Sequence, residues 1–140
     1  MSQESTTPDL LELTRRMLDV ASNRDFDAML SLYAADAEWD GSRAVVGTFD
    51  GAAAIRGFVE DWVGTFEEYG HEYEDGRCLG NGVVFAVLQL HGHLAGSRER
   101  VRERYALTVV WAADLIVRVI VDKEIDEARA AAERLAEERG

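Results

Sequence analysis

Four polar side chains in two long segments of alternating residues are those whose types and spacing suit chemistry. His91 and Gln89 belong to the segment 83–94, while Glu103 and Tyr105 belong to the segment 99–111. A histidine beside a carboxylate in a partly dry pocket can be raised in pKa and act as a general acid or base. Whether these residues meet depends on the elements that carry them.

Both segments alternate with a period of two, which is typical of β-strands. Gly96-Ser97-Arg98 lies between them and predicts a three-residue hairpin turn. In that register His91 faces Glu103, and Gln89 faces Tyr105. Since opposed residues point to the same side of a sheet, all four are expected on one face, covered by the helices.

This face is expected to border a pocket in which His91 or Asp40 is the base and Glu103 orients His91. Asp40 follows Trp39 at a strand end, and we expect Trp39 at the edge of the cavity. The alternative interpretation is that His91 only bonds Glu103 and does no chemistry. The expected substrate-binding residues are Trp39, Trp62, Phe85, Gln89 and Tyr105.

A metal site is a further alternative, because His91 and His93 have the spacing of two ligands on one strand face, with Glu103 as a third. The sequence offers no well-placed fourth ligand, so we expect no metal and no other cofactor. Four arginines alternate over residues 98–104, and we expect them on a solvated outer face, partly paired with acids of a neighbouring strand or subunit.

Composition excludes several classes of partner. The chain has 140 residues, 27 of them acidic and 15 basic, and a net charge of −12; such a surface repels nucleic acid and anionic membranes. A single cysteine, Cys78, excludes an internal disulfide, and the only lysine, Lys123, is the only candidate for amine catalysis. Neither a signal peptide nor an apolar run of roughly 20 residues is present, so we expect a soluble cytoplasmic protein.

Helical periodicity precedes the strands, which predicts an α+β fold: a curved, largely antiparallel sheet wrapped on N-terminal helices, with an internal cavity and a C-terminal helix. Thr7-Pro8-Asp9 predicts the first helix start, with Thr7 as the cap, Pro8 at the first helical position and Asp9 in the first turn. Asp25 is expected to cap a second helix, and a third should begin near Gly51. Residues 1–140 are expected to form one domain, with residues 1–8 as a flexible N-terminus.

Three segments resemble the SnoaL-like family, within the superfamily of nuclear transport factor 2 and ketosteroid isomerase. DFDAMLSLYAADAEW (25–39) resembles its second helix and first strand, and GTFDGAAAIRGF (47–58) resembles its third-helix signature. LIVRV (115–119), followed by Asp122, is similar to its last strand. The resemblance implies a cone-shaped barrel with a deep pocket for a small apolar molecule, usually in a homodimer through the outer sheet face. The interface residues it suggests are Leu88, Leu90, Ile116 and Ile120.

Members of this superfamily include polyketide cyclases, dehydratases, epoxide hydrolases and a ketosteroid isomerase. The resemblance places the isomerase's general-base aspartate at Gly41, next to Asp40, and its two oxyanion donors at Met17 and near Leu107. Neither donor is present, so the isomerase chemistry is not expected in its standard form. The polyketide cyclases use a histidine–aspartate pair, and the resemblance suggests His91 with Glu103 or Asp40 as its functional equivalent, at a spacing that does not match that pair.

Two functions follow as expectations. The first is a cofactor-free isomerase, cyclase or dehydratase that moves protons on a small hydrophobic carbonyl compound. The alternative is a non-catalytic ligand-binding or dimeric interaction module with the same pocket.

Overall fold

The computed structural model describes residues 9–44 and 47–140, which form helices and one sheet. The expected flexible N-terminus, residues 1–8, lies outside the described residues. The helices are α1 (Leu10–Ser22), α2 (Phe26–Leu30), α3 (Ala52–Gly64) and α4 (Ile125–Arg139), with a 3-10 turn at Ser42–Ala44. The strands are β1 (Tyr33–Gly41), β2 (Gly47–Asp50), β3 (Phe66–Gly80), β4 (Val83–Leu94), β5 (Arg100–Ala112) and β6 (Leu115–Asp122).

The sheet is mixed, strongly curved and not closed, with the strand order β2-β1-β6-β5-β4-β3. Only β1 and β6 run parallel; the other neighbouring pairs are antiparallel. Helices α1 to α3 pack against the concave face, and α4 packs against the convex face. The predicted α+β class, with N-terminal helices under a curved sheet, is confirmed.

Aspartates at two helix starts supply acceptors for backbone N–H groups that have no partner inside the helix. Asp9 accepts a hydrogen bond from the Glu12 amide at 3.2 Å, and Asp25 accepts one from the Ala28 amide at 3.1 Å. The prediction for Asp25 is therefore confirmed. Asp9, expected inside the first turn, is instead the cap, and Thr7-Pro8 lies outside the described residues.

Each face of the sheet has its own core. On the concave side Trp111 is fully buried, and its indole N–H donates to the Thr14 hydroxyl of α1 at 3.1 Å. On the convex side α4 covers β4 and β5 with a stripe of small residues: Ala128, Ala132 and Ala136. Alternation along β4 thus gives two buried surfaces instead of one.

The predicted register between β4 and β5 is wrong by one residue. His91 lies opposite Arg102 and Leu90 lies opposite Glu103, because the chain turns earlier than expected: the Ser97 amide already donates to the Leu94 carbonyl at 3.1 Å. A one-residue slip moves every side chain to the other face relative to its partner strand. Consequently Glu103 is on the concave side, and His91 is on the convex side.

The same alternation corrects the apolar patch expected at a dimer interface. Leu88, Leu90 and Ile116 are buried on the concave side of a single chain, so they cannot form an outer surface. Ile120 does lie on the convex side, in a groove beside α4. The homodimer stays a prediction, but three of the four residues expected at its interface do not lie on the outer surface.

Candidate functional site

A cavity of about 340 Å³ lies between the concave face and helices α1 to α3. Most of its wall is apolar or aromatic, which suits a small, largely apolar molecule. The apolar wall includes Met17, Leu18, Met29, Leu107 and Val121, and the aromatic wall includes Trp39, Phe58 and Trp62. The side chains with polar or charged groups are Tyr33, Tyr69, His71, Glu103, Tyr105 and Lys123.

His71 is the histidine that faces this cavity. It lies on β3 opposite Leu90, and Leu90 in turn lies opposite Glu103 on β5. His71 and Glu103 therefore share one row of the concave face, with a single strand between them. Two strand spacings separate their Cα atoms by roughly 10 Å, and the Leu90 side chain lies between them on the floor of the cavity.

A chain of polar contacts holds the His71 ring. The Trp62 indole N–H donates to the Tyr69 hydroxyl at 3.1 Å, and that hydroxyl lies 3.4 Å from Nε2 of His71. Nδ1 of His71 lies 3.5 Å from the Ser22 hydroxyl. Because the Tyr69 oxygen accepts from Trp62, its own proton can point towards Nε2, which leaves Nδ1 to carry the imidazole proton.

Burial sets the protonation states of His71 and Tyr69. Loss of solvent, followed by repulsion from His91, lowers the pKa of His71 from 6.5 to about 4. Burial also raises the pKa of Tyr69 to about 12, against the hydrogen bond from Trp62, which lowers it. Near neutral pH the site therefore holds a neutral imidazole next to a neutral phenol: a proton acceptor beside a hydrogen-bond donor.

Two further donors in the cavity wall lack a partner. The Tyr33 hydroxyl and the Trp39 indole N–H are buried and make no hydrogen bond within residues 9–44 and 47–140. Burial raises the pKa of Tyr33 above its ordinary value, so its hydroxyl keeps its proton. A buried donor without an acceptor costs about 1–3 kcal/mol, which a ligand oxygen would recover.

Charged groups lie at the mouth of the cavity. Glu103 and Lys123 both line it and are solvent-exposed. Tyr105 lies deeper, on the same face of β5 as Glu103. Burial first, and then its tyrosine neighbours and Glu103, raise the pKa of Tyr105 well above 10.

The predicted base His91 does not reach this cavity. It lies on the convex face, where its Nε2 is 3.0 Å from a carboxylate oxygen of Glu72. Gln89 shares that face and accepts a hydrogen bond from Arg102 at 3.2 Å. The expected contacts of His91 with Glu103 and of Gln89 with Tyr105 are therefore wrong, and the cause is the one-residue shift of register.

Two other expected site residues also lie away from the cavity. Phe85 is fully buried beneath α4 on the convex side. Asp40 points away from the face of β1 that carries Trp39, and its carboxylate accepts hydrogen bonds from the Ser42 hydroxyl at 2.6 Å and amide at 3.1 Å. The Ser42 hydroxyl is the main cause that lowers the pKa of Asp40, so this carboxylate is a weaker base than an ordinary aspartate.

The remaining four expected residues do line the cavity: Trp39, Trp62, Glu103 and Tyr105. Their roles in binding or catalysis stay predictions. The arginines of β5 are on the convex face as expected, where Arg100 and Arg104 pair with Glu68 and Glu74 of β3 at 3.5 and 2.8 Å. Nowhere in the described chain do three or more histidine, cysteine or acidic residues form a group that could hold a metal ion.

The sequence reasoning missed His71, Tyr69 and Tyr33. The first two had a signal, since Tyr69, His71 and Tyr73 alternate as a half-buried strand does, with their side chains on one face. Tyr33 had none, because it follows helix α2 closely and its place at the start of β1 depends on tertiary packing.

The fold and sequence match known proteins as follows. A protein from Shewanella putrefaciens, assigned as a SnoaL-like polyketide cyclase, superposes with a TM-score of 0.70 at 14% identity, covering 89% of this chain and 98% of that one. A Catenulispora acidiphila protein of ketosteroid isomerase-like fold, in complex with trimethylamine, gives 0.70 at 17% identity, covering 83% and 85%. A Mycobacterium tuberculosis protein in complex with estradiol-17beta-hemisuccinate gives 0.71 at 17% identity, covering 80% and 91%.

Sequence identities this low show that the fold is shared, but they do not show that the activity is shared. No protein of curated function matches the sequence. None of the helices in the described residues is long and apolar enough to cross a membrane. The SnoaL-like domain matches residues 14–119, which is most of the chain, and the protein therefore belongs to the SnoaL-like family.

Proposed function

We propose that this protein binds a small, mostly apolar carbonyl compound in the concave cavity and catalyses a cofactor-free proton transfer on it, as an isomerase, cyclase or dehydratase would. The observation that carries the proposal is a neutral histidine, fixed by a tyrosine and a serine, inside an otherwise apolar cavity. The family fold commonly binds small hydrophobic ligands and often catalyses isomerisation or cyclisation.

In this reaction His71 is the base. A C–H bond next to the substrate carbonyl breaks, and its proton moves to Nε2 of His71 as the Tyr69 hydroxyl proton rotates away from that nitrogen. The electron pair of the C–H bond delocalises onto the carbonyl oxygen. Where the substrate also has a β,γ C=C bond, return of that proton to the γ-carbon of the resulting dienolate moves the double bond and completes an isomerisation. The proposal gives Glu103, on the other side of Leu90 in the same row, the role of exchanging a proton at the opposite end of the substrate.

The developing negative charge on oxygen needs hydrogen-bond donors. The Tyr33 hydroxyl and the Trp39 indole N–H, which lack partners in the described chain, are suited to this role. Both belong to β1, on the side of the cavity formed by that strand. The apolar wall keeps water away and strengthens each of these bonds.

Proton exchange at a simple ketone tests this proposal. We expect the protein to accelerate replacement of the α-protons of 2-tetralone by deuterium in D2O, followed by NMR. The His71→Gln variant should lose about a hundredfold or more of the acceleration, whereas His91→Gln, on the convex face, should keep it. Equal rates for the wild type and His71→Gln, with both variants folded by circular dichroism, would refute the role of His71.

A second candidate function is ligand binding without catalysis. Met17 and Leu107 favour it, because they line the cavity at the positions where the family resemblance expects oxyanion donors. In that case 2-tetralone would bind, as seen by quenching of tryptophan fluorescence, but no variant of the cavity would change its exchange rate.

A further inference from the structure

The mouth of the cavity carries one ammonium group, that of Lys123, which the proton transfer proposed above does not use. Its placement follows from the alternation at the end of β6. Val121 and Lys123 line the cavity, while Asp122 between them faces the groove beside α4. Lys123 is also the only lysine of the chain.

Lys123 has no acidic partner within 4.0 Å among residues 9–44 and 47–140. Two acids near it are engaged elsewhere: Asp122 lies 2.6 Å from Nε of Arg43, and Glu127 lies 2.9 Å from the same guanidinium group. Glu103 also lines the cavity but does not lie within 4.0 Å of the Lys123 ammonium group. In a protein of net charge −12, a cation without a carboxylate partner at the edge of an apolar cavity is a suitable site for an anionic ligand group.

Glu103 lies near Lys123 at the mouth, on the neighbouring strand. Ala106 is opposite Asp122, so Lys123 comes next to Tyr105, and Glu103 is its diagonal neighbour at roughly 7 Å. A carboxylate that enters the mouth is repelled by Glu103 and attracted by Lys123. The two side chains therefore define on which side of the opening an anionic group would sit.

We propose that the ligand is a small apolar carboxylic acid, with its carboxylate paired to Lys123 at the mouth and its apolar body inside the cavity. The proposal rests on the proposed function and narrows its substrate class from carbonyl compounds to those that also carry a carboxylate. A cavity of about 340 Å³ accommodates a fused two-ring skeleton with such a substituent. Lys123 then determines specificity and takes no part in the proton transfer.

The test compares two probes of the same shape, 2-naphthoate and neutral 2-acetylnaphthalene, by titration calorimetry. We expect the wild type to bind 2-naphthoate about tenfold more tightly, as a charge-assisted hydrogen bond at a partly exposed site would give. Lys123→Met should abolish this preference without changing the affinity for 2-acetylnaphthalene, and Lys123→Arg should keep it. Glu103→Gln should strengthen binding of 2-naphthoate alone.

Arg16→Met is the matched control, because Arg16 is an exposed cation on α1 away from the cavity. It changes the net charge as Lys123→Met does and should leave the preference intact. If Arg16→Met lowers it equally, the effect comes from overall charge and the proposal is overturned. A wild type that binds both probes equally also overturns it.

The outcomes also separate this proposal from the proposed function. Binding of 2-acetylnaphthalene without preference for 2-naphthoate leaves the cavity function standing and removes the role of Lys123. Failure of both probes to bind removes both proposals. A borohydride-trapped adduct of 2-tetralone, present in the wild type and absent in Lys123→Arg, would assign Lys123 to imine chemistry and overturn its ion-pairing role.

Discussion

Burial of a neutral His71 should make the stability of the protein depend on pH in a specific way. The pKa of His71 is about 4 in the folded chain and 6.5, its ordinary value, in the unfolded chain. As the pH falls below 6.5, the unfolded chain takes up a proton that the folded chain refuses, so stability is lost until both forms are protonated. Two and a half pKa units correspond to about 3 kcal/mol, of which about 2 kcal/mol is lost between about pH 7.5 and about pH 5.

Urea unfolding at several pH values measures this term. The carboxylates also contribute to acid sensitivity, so the wild type is compared with His71→Gln, and the quantity of interest is the change in their stability difference with pH. His93→Gln, on the convex face, is the matched control and should follow the wild type. Parallel stability curves for the wild type and His71→Gln would refute the neutral, buried state of this histidine.

Three substitutions test other features of the structure. Tyr33→Phe removes a buried donor that has no partner in the described chain. The free energy of unfolding without ligand should therefore stay equal or rise by up to about 1 kcal/mol. Calorimetry should show weaker binding of 2-tetralone to this variant. Thr14→Val leaves the Trp111 indole N–H without its acceptor and should cost about 1–3 kcal/mol in urea unfolding; Thr14→Ser should not. Gly82→Ala should lower the melting temperature more than Gly80→Ala, since both have positive φ but only a Cβ at position 82 meets the Trp111 carbonyl.

Much of the fold could be predicted from the sequence because its signals are local. The predicted strand 83–94 matches β4 residue for residue, since strand period and flanking turns define it. The caps and apolar spacing of the first helices are equally local. The family resemblance adds the arrangement of these elements around an internal pocket, but the strand order comes from the structure.

The site was harder to predict, because it depends on one turn. Moving the hairpin by one residue exchanges the face on which His91 lies relative to Glu103. Both faces of β4 are apolar, one under α1 and the other under α4, so hydrophobicity did not indicate which face borders the cavity. His71 belongs to a segment that alternates as a strand does, but only the pairing of β3 with β4 places it opposite Leu90.

A crystal structure of the protein soaked with 2-tetralone tests the central claim most directly. We predict that the ketone lies in the concave cavity, with its oxygen within hydrogen-bond distance of the Tyr33 hydroxyl or the Trp39 indole N–H and an α-carbon facing His71. A ketone bound in the groove beside α4, or one in the cavity with its α-carbons turned away from His71, would contradict the account.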